Sequence, residues 1–159
     1  MTTTPTRAPV IAVDWDSTMV EPAFPENGEP MGYQHRGPHG DRWRTSFEVV
    51  RFWQKRGAKL LLWTCRGGEG LIEEVLAYSQ RHDLLWDYVN EAPSFFLEDV
   101  WAPPFFLEDG EHFPPSPKAF AHLYIDDRAL GCPMTADGSI DWRITDHLVN
   151  RWLDDWWTR

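Results

Sequence analysis

Two pairs of carboxylates stand where apolar runs end: Asp14 and Asp16 after Val10-Ile-Ala-Val13, and Asp126 and Asp127 after Leu123-Tyr-Ile125. Carboxylates this close repel one another unless a cation or a shared proton intervenes, and hard oxygen donors suit a hard divalent ion such as Mg²⁺. The chemistry open to such a set is metal-assisted catalysis, with Asp14 as nucleophile or ligand and Asp16 as its neighbour. Asp residues at strand ends also simply start turns, which explains one pair taken alone equally well. Two pairs on separate apolar strands favour the metal.

The elements that must position these acids follow from the hydrophobic pattern. Val10–Val13, Lys59–Thr64 and His122–Asp127 are short, nearly continuous apolar runs, the pattern of buried parallel strands, and Trp86–Val89 is a weaker one. Thr45-Ser-Phe-Glu48 has capping-box spacing and opens a helix over about 45–56, which Gly57 ends. A second helix follows Arg66-Gly-Gly-Glu-Gly70, with Leu71, Ile72, Val75 and Leu76 on its buried face. A terminal helix from Asp141 to about Trp157 carries Ile144, Leu148, Trp152 and Trp156 beside Val149 and Leu153. Strands alternating with helices predict an α/β fold, a doubly wound, Rossmann-like, mostly parallel sheet with helices on both faces. In such a sheet ligands bind beyond the carboxyl ends of the strands, where Asp14, Asp16, Thr64, Asp126 and Asp127 would gather.

A chain of 159 residues supports a single domain over 1–159. Residues 1–8 are expected to fray, and prolines and glycines make 19–44 a long loop or flap. Residues 91–117 read as a loop insertion in which Ala92-Pro-Ser-Phe-Phe-Leu-Glu-Asp99 is nearly repeated as Ala102-Pro-Pro-Phe-Phe-Leu-Glu-Asp109. Two copies do not make a solenoid. The net charge of −10 weakens binding to long nucleic acids, and no apolar run reaches the roughly 20 residues of a membrane helix. Two cysteines make neither a disulfide framework nor a zinc site, and a cytoplasmic protein with no membrane partner is the simplest expectation. Cys65 reads as a small buried residue, because Cys-Arg-Gly-Gly lacks the spacing of a thiolate phosphatase loop.

Asp14-Trp-Asp-Ser-Thr18 resembles the DxDxT signature of the haloacid dehalogenase-like hydrolases, directly after an apolar strand. Thr64 stands as that superfamily's phosphate-binding Thr or Ser does, Lys118 where its charge-balancing lysine would, and Ile125-Asp-Asp127 resembles its acidic fourth motif. Of Lys55, Lys59 and Lys118, only the last lies between Thr64 and Asp126. The likeness spans about residues 10–153, is strongest to small bacterial and phage members, and thins in 91–115 and around His35–Arg42. Neither 19–44 nor 91–117 is long enough for a full cap domain. Ser17 departs from the commonest residue there, glycine.

The resemblance implies a Mg²⁺-dependent phosphatase. Asp14 would attack phosphorus to give an aspartyl-phosphate, with Asp16 as acid and base. Asp14, Asp16 through its backbone carbonyl, Asp126 and Asp127 would hold the metal. Thr64, Lys118, Thr18, Cys65 and Arg66 would line the substrate, a phosphorylated small molecule or nucleotide, with a nucleic-acid end phosphate as a further option. The contrasting expectation is a catalytically silent binding protein of the same fold. A homodimer through the aromatic terminal helix is compatible with both.

Overall fold

The computed structural model describes residues 7–20, 34–36, 43–66, 70–91, 121–136 and 138–158, the backbone alone at 34–36 and 43–44. Four strands, β1 (Val10–Asp14), β4 (Lys59–Trp63), β5 (Tyr88–Val89) and β6 (Leu123–Ile125), form one parallel sheet in the order β5-β4-β1-β6. The sheet is open, and with its helices α1 (Ser46–Lys55), α2 (Leu71–Arg81) and α3 (Trp142–Thr158) it makes a Rossmann-like α/β fold. A short antiparallel ribbon pairs β2 (Gln34–Arg36) with β3 (Trp43–Thr45).

The apolar runs form the strands because both faces of the sheet are buried. Ile11, Val13, Leu60 and Leu62 share one face with Val50 and Trp53 of α1, Val75 and Tyr78 of α2, and Val149 and Leu153 of α3. Val10, Ala12 and Leu61 face the other way and are at most 1% exposed. Among the described residues no helix core lies on that second face.

α1 begins where the capping box predicts. The Thr45 hydroxyl accepts from the Glu48 N–H at 3.2 Å, and the Glu48 carboxylate accepts from the Thr45 N–H at 2.9 Å. It ends in a Schellman motif: the Gly57 N–H donates to the Gln54 carbonyl and the Ala58 N–H to that of Trp53, with Gly57 at φ +93°. Asp87 then fastens β4, β5 and α1 together, accepting from Lys59 Nζ, the Leu60 N–H and Gln54 Nε2 at 2.8 to 3.0 Å. At the start of β1 the Val10 N–H donates to His122 Nδ1 at 2.9 Å, so the imidazole must be neutral there, and burial pushes its pKa down.

Several expectations are corrected. Residues 19–44 are not one loop, since Met19 and Val20 are core residues and Gln34–Arg36 pairs with Trp43–Thr45. In α2, Leu71 is 41% exposed, and the buried positions are Val75, Tyr78 and Ser79. In α3 the buried face is Trp142, Thr145, Asp146, Val149 and Leu153, while Ile144 and Leu148 are exposed. A repeat of four drifts around a helix of 3.6 residues per turn, so the row stands off the core at Ile144 and Leu148 and comes against it only at Trp152. The predicted third strand shrinks to Tyr88–Val89. The duplicated segment within 92–109 lies outside the described residues, as does most of the 91–117 insertion. Among the described residues no helix is long and apolar enough to cross a membrane.

Candidate active site

Strand order decides where a ligand can enter. The chain runs from β1 outward to β4 and β5, then returns to place β6 on the opposite side of β1. The reversal of direction falls between β1 and β6, the position at which open α/β sheets bind ligands beyond their strand ends. The register pairs Val13 with Ile125, which sets Asp14 and Asp126 side by side as the two strands finish. Asp14, Asp126 and Asp127 each present an oxygen within 4.8 Å of the others, a group able to hold a metal ion.

Thr18 ties this group together. Its hydroxyl donates to Asp14 Oδ2 at 3.1 Å and accepts the Asp127 N–H at 3.0 Å, while its carbonyl accepts from Trp142 Nε1 at 3.1 Å. One buried threonine therefore joins the end of β1, the turn after β6 and the start of α3. The turn that carries it wraps on the Trp15 carbonyl, which accepts from the N–H groups of Met19 and Val20 at 2.9 and 3.2 Å. Ser17 sits in that turn at φ +63°, the left-handed region that glycine occupies without strain. Asp126 is oriented by the Arg128 N–H, which donates to its Oδ1 at 2.8 Å.

Burial pushes the Asp14 carboxyl up to about 6, and the charges of Asp126 and Asp127 add to that rise against the opposing hydrogen bonds of Trp15 and Thr18. The charged form of Asp14 is therefore disfavoured at this strand end, by burial first and by its acidic neighbours second.

On the other side of β1, Thr64 is nearly buried at the end of β4. Its N–H donates to Asn90 Oδ1 at 2.8 Å, and its hydroxyl accepts from the Arg66 N–H at 3.2 Å. Among the described residues the Thr64 hydroxyl proton has no acceptor. Arg66 turns toward Asp16: Nη2 donates to Oδ1 at 2.6 Å and Nε to Oδ2 at 2.9 Å.

The expected residues are thus sorted into two groups. Asp14, Asp126 and Asp127 converge as expected. The Asp16 carboxylate does not join them, because Arg66 holds it apart. Thr18, expected at the substrate, is fully buried with its hydroxyl committed. Cys65, expected to be buried, is exposed, since it follows the end of β4 where the sheet no longer covers the chain. Lys118 lies outside the described residues.

Asn90 and Trp142 are positioning residues that sequence reasoning missed. Asn90 had a readable signal: an asparagine directly after a short strand tolerates the left-handed conformation, here φ +51°, from which its side chain reaches Thr64. Trp142 had none, because its N–H bond to Thr18 spans 124 positions of sequence.

No protein-family model matches the chain, and no curated protein matches it. Among solved structures it is similar to a conserved protein coded by a locus from Bacteroides thetaiotaomicron. The two are 26% identical over 92% of this chain and 93% of the other, with a TM-score of 0.58. This likeness supports the Rossmann-like fold and carries no activity.

Proposed function

We propose that the chain is a Mg²⁺-dependent phosphomonoesterase of the haloacid dehalogenase-like kind. The observation that carries the reading is the convergence of Asp14, Asp126 and Asp127 at the switch point of the sheet, held by the Thr18 hydroxyl. The donor set fits the metal: all three are hard carboxylate oxygens, and the raised pKa of Asp14, which comes first from burial and then from the neighbouring acids, marks a carboxylate whose charged form a bound cation would stabilise. Bound there, Mg²⁺ would supply positive charge against the phosphoryl oxygens.

The remaining chemistry belongs to the chain's own groups. A carboxylate oxygen of Asp14 forms a bond to phosphorus as the bond to the ester oxygen breaks, and the departing oxygen takes a proton from Asp16. Asp16 then takes a proton from water as that water cleaves the aspartyl-phosphate, which releases phosphate and restores Asp14. The Thr64 hydroxyl, whose proton has no acceptor among the described residues, would donate to a phosphoryl oxygen. Lys118 would add the balancing charge. The substrate is a phosphorylated small molecule or nucleotide.

The test is phosphate release from a broad panel of phosphomonoesters with Mg²⁺, run on wild type and Asp14→Asn in parallel. Wild type should turn over at least one ester, and the variant should lose at least about a thousandfold in kcat. No release from any ester, or release indifferent to Asp14→Asn, overturns the reading in favour of a binding protein. Nucleoside monophosphates against sugar phosphates, and 3′- against 5′-phosphorylated oligonucleotides, then sort the substrate class.

A further inference from the structure

Beside Asp16 lies a cavity of about 270 Å³ whose walls include Trp15, Arg66, Glu74, Tyr78 and Arg81. We propose that this cavity receives a second anionic group of the substrate, and that Arg66 is the residue that reads it. The inference rests on the phosphatase reading and names the class of ester on which that site acts.

The Arg66 guanidinium stands between the two places. Nε and Nη2 hold both oxygens of Asp16, whereas Nη1 has no hydrogen-bond partner among the described residues, and the same side chain lines the cavity. A carboxylate engaged by two guanidinium nitrogens is directed at the arginine and not at a leaving oxygen. Asp16 therefore needs Arg66 to move before it can serve a departing alcohol. An anion seated in the cavity supplies the competing attraction: Arg66 turns its fork onto the anion, and the Asp16 oxygens face the scissile ester.

The cavity is built for an anion more than for a stacked ring. Trp15 and Tyr78 are 1% and 6% exposed, meet each other edge to face at 6.0 Å, and both pack on Phe47. Arg81 covers the Tyr78 ring at 5.2 Å. Among the described lining residues no aromatic face is left open to a nucleobase, and the charged groups in the wall are the guanidinium groups of Arg66 and Arg81 and the carboxylate of Glu74. The buried Trp15 indole N–H, in the same wall, has no partner among the described residues. With water occupying about 30 Å³ per molecule, the volume takes a carboxylate or phosphate together with several waters.

Three matched esters test the proposal on the full chain with Mg²⁺: propyl phosphate, 3-phosphopropionate and 1,3-propanediol bisphosphate. They share a three-carbon chain whose far end is neutral, a carboxylate or a phosphate. The expected result is a kcat/KM about tenfold or more higher for at least one anionic ester than for propyl phosphate, the scale of a charge-assisted hydrogen bond. Which one leads identifies the anion. The gain should appear in kcat as well as KM, because freeing Asp16 acts on the chemical step. Arg66→Met should bring the preference to within about twofold, Arg66→Lys should restore part of it, and Arg81→Met should reduce it with the Arg66–Asp16 pair intact. A wild-type ratio near one, or a preference indifferent to both arginines, overturns the inference and leaves the phosphatase reading standing. If none of the esters in the wider panel releases phosphate, that reading falls, and this inference with it.

Discussion

Asp14 is a carboxylate placed where it is hard to ionise. Burial and two neighbouring acids raise it to about 6, against 3.8 for the unperturbed group. Because the folded pKa lies above the unfolded one, the folded chain binds this proton more tightly. In the metal-free protein the group's stabilising protonation is therefore complete below 3.8 and lost as pH rises through about 6. Metal binding has the opposite sign, since the cation must displace that proton. Calorimetric titration with Mg²⁺ should give an affinity that is flat above about pH 7 and falls by up to tenfold per pH unit below about 6. An affinity unchanged between pH 7.5 and 5 would remove Asp14 from the ligand set. The lowered pKa of His122 works the other way, its bond to Val10 being lost as acid protonates the ring. The Asp14 contribution to stability is accordingly read as the difference between wild type and Asp14→Asn at each pH.

Strands and helices were legible where one physical pattern dominated. Apolar runs gave the sheet, and the Thr45 to Glu48 box and Gly57 gave both ends of α1. The pattern failed where polar groups are buried. Asp146 lies on the inner face of α3 because its carboxylate accepts from Trp53 Nε1 at 2.9 Å, a partner distant in sequence that apolar periodicity cannot register. The candidate site divides in the same way. The acids ending β1 and β6 were readable from position alone, but the bonds that separate their roles, Thr18 to Asp127 and Arg66 to Asp16, join segments 109 and 50 residues apart. Gly57 offers a check on how tightly the α1 end is specified. A Cβ there would lie 3.0 Å from the Trp157 ring, on a backbone at φ +93°. Gly57→Ala should cost about 1 to 3 kcal/mol in urea unfolding, with the slope unchanged. A loss below about 0.5 kcal/mol would mean that α3 yields at its C-terminal end.

The whole fold converges on one charged point. A sheet that reverses direction between β1 and β6 brings together carboxylates that local sequence keeps more than a hundred residues apart, and it does so in a chain of net charge −10. On the proposed metal reading, acids gathered this closely would repel one another in the metal-free protein and serve as ligands once the cation binds. Mg²⁺ at one hundred times its dissociation constant should stabilise the folded state by about 2.7 kcal/mol, which for a chain of this size raises Tm by roughly 5 to 10 °C. Asp126→Asn and Asp127→Asn should each shrink that shift while leaving the metal-free Tm equal to or above that of wild type, because the substitution removes repulsion as well as a ligand. Ordinary structural acids behave differently. If the three carboxylates only ordered the turn around Thr18, both variants would lower the metal-free Tm, and Mg²⁺ would move neither them nor wild type.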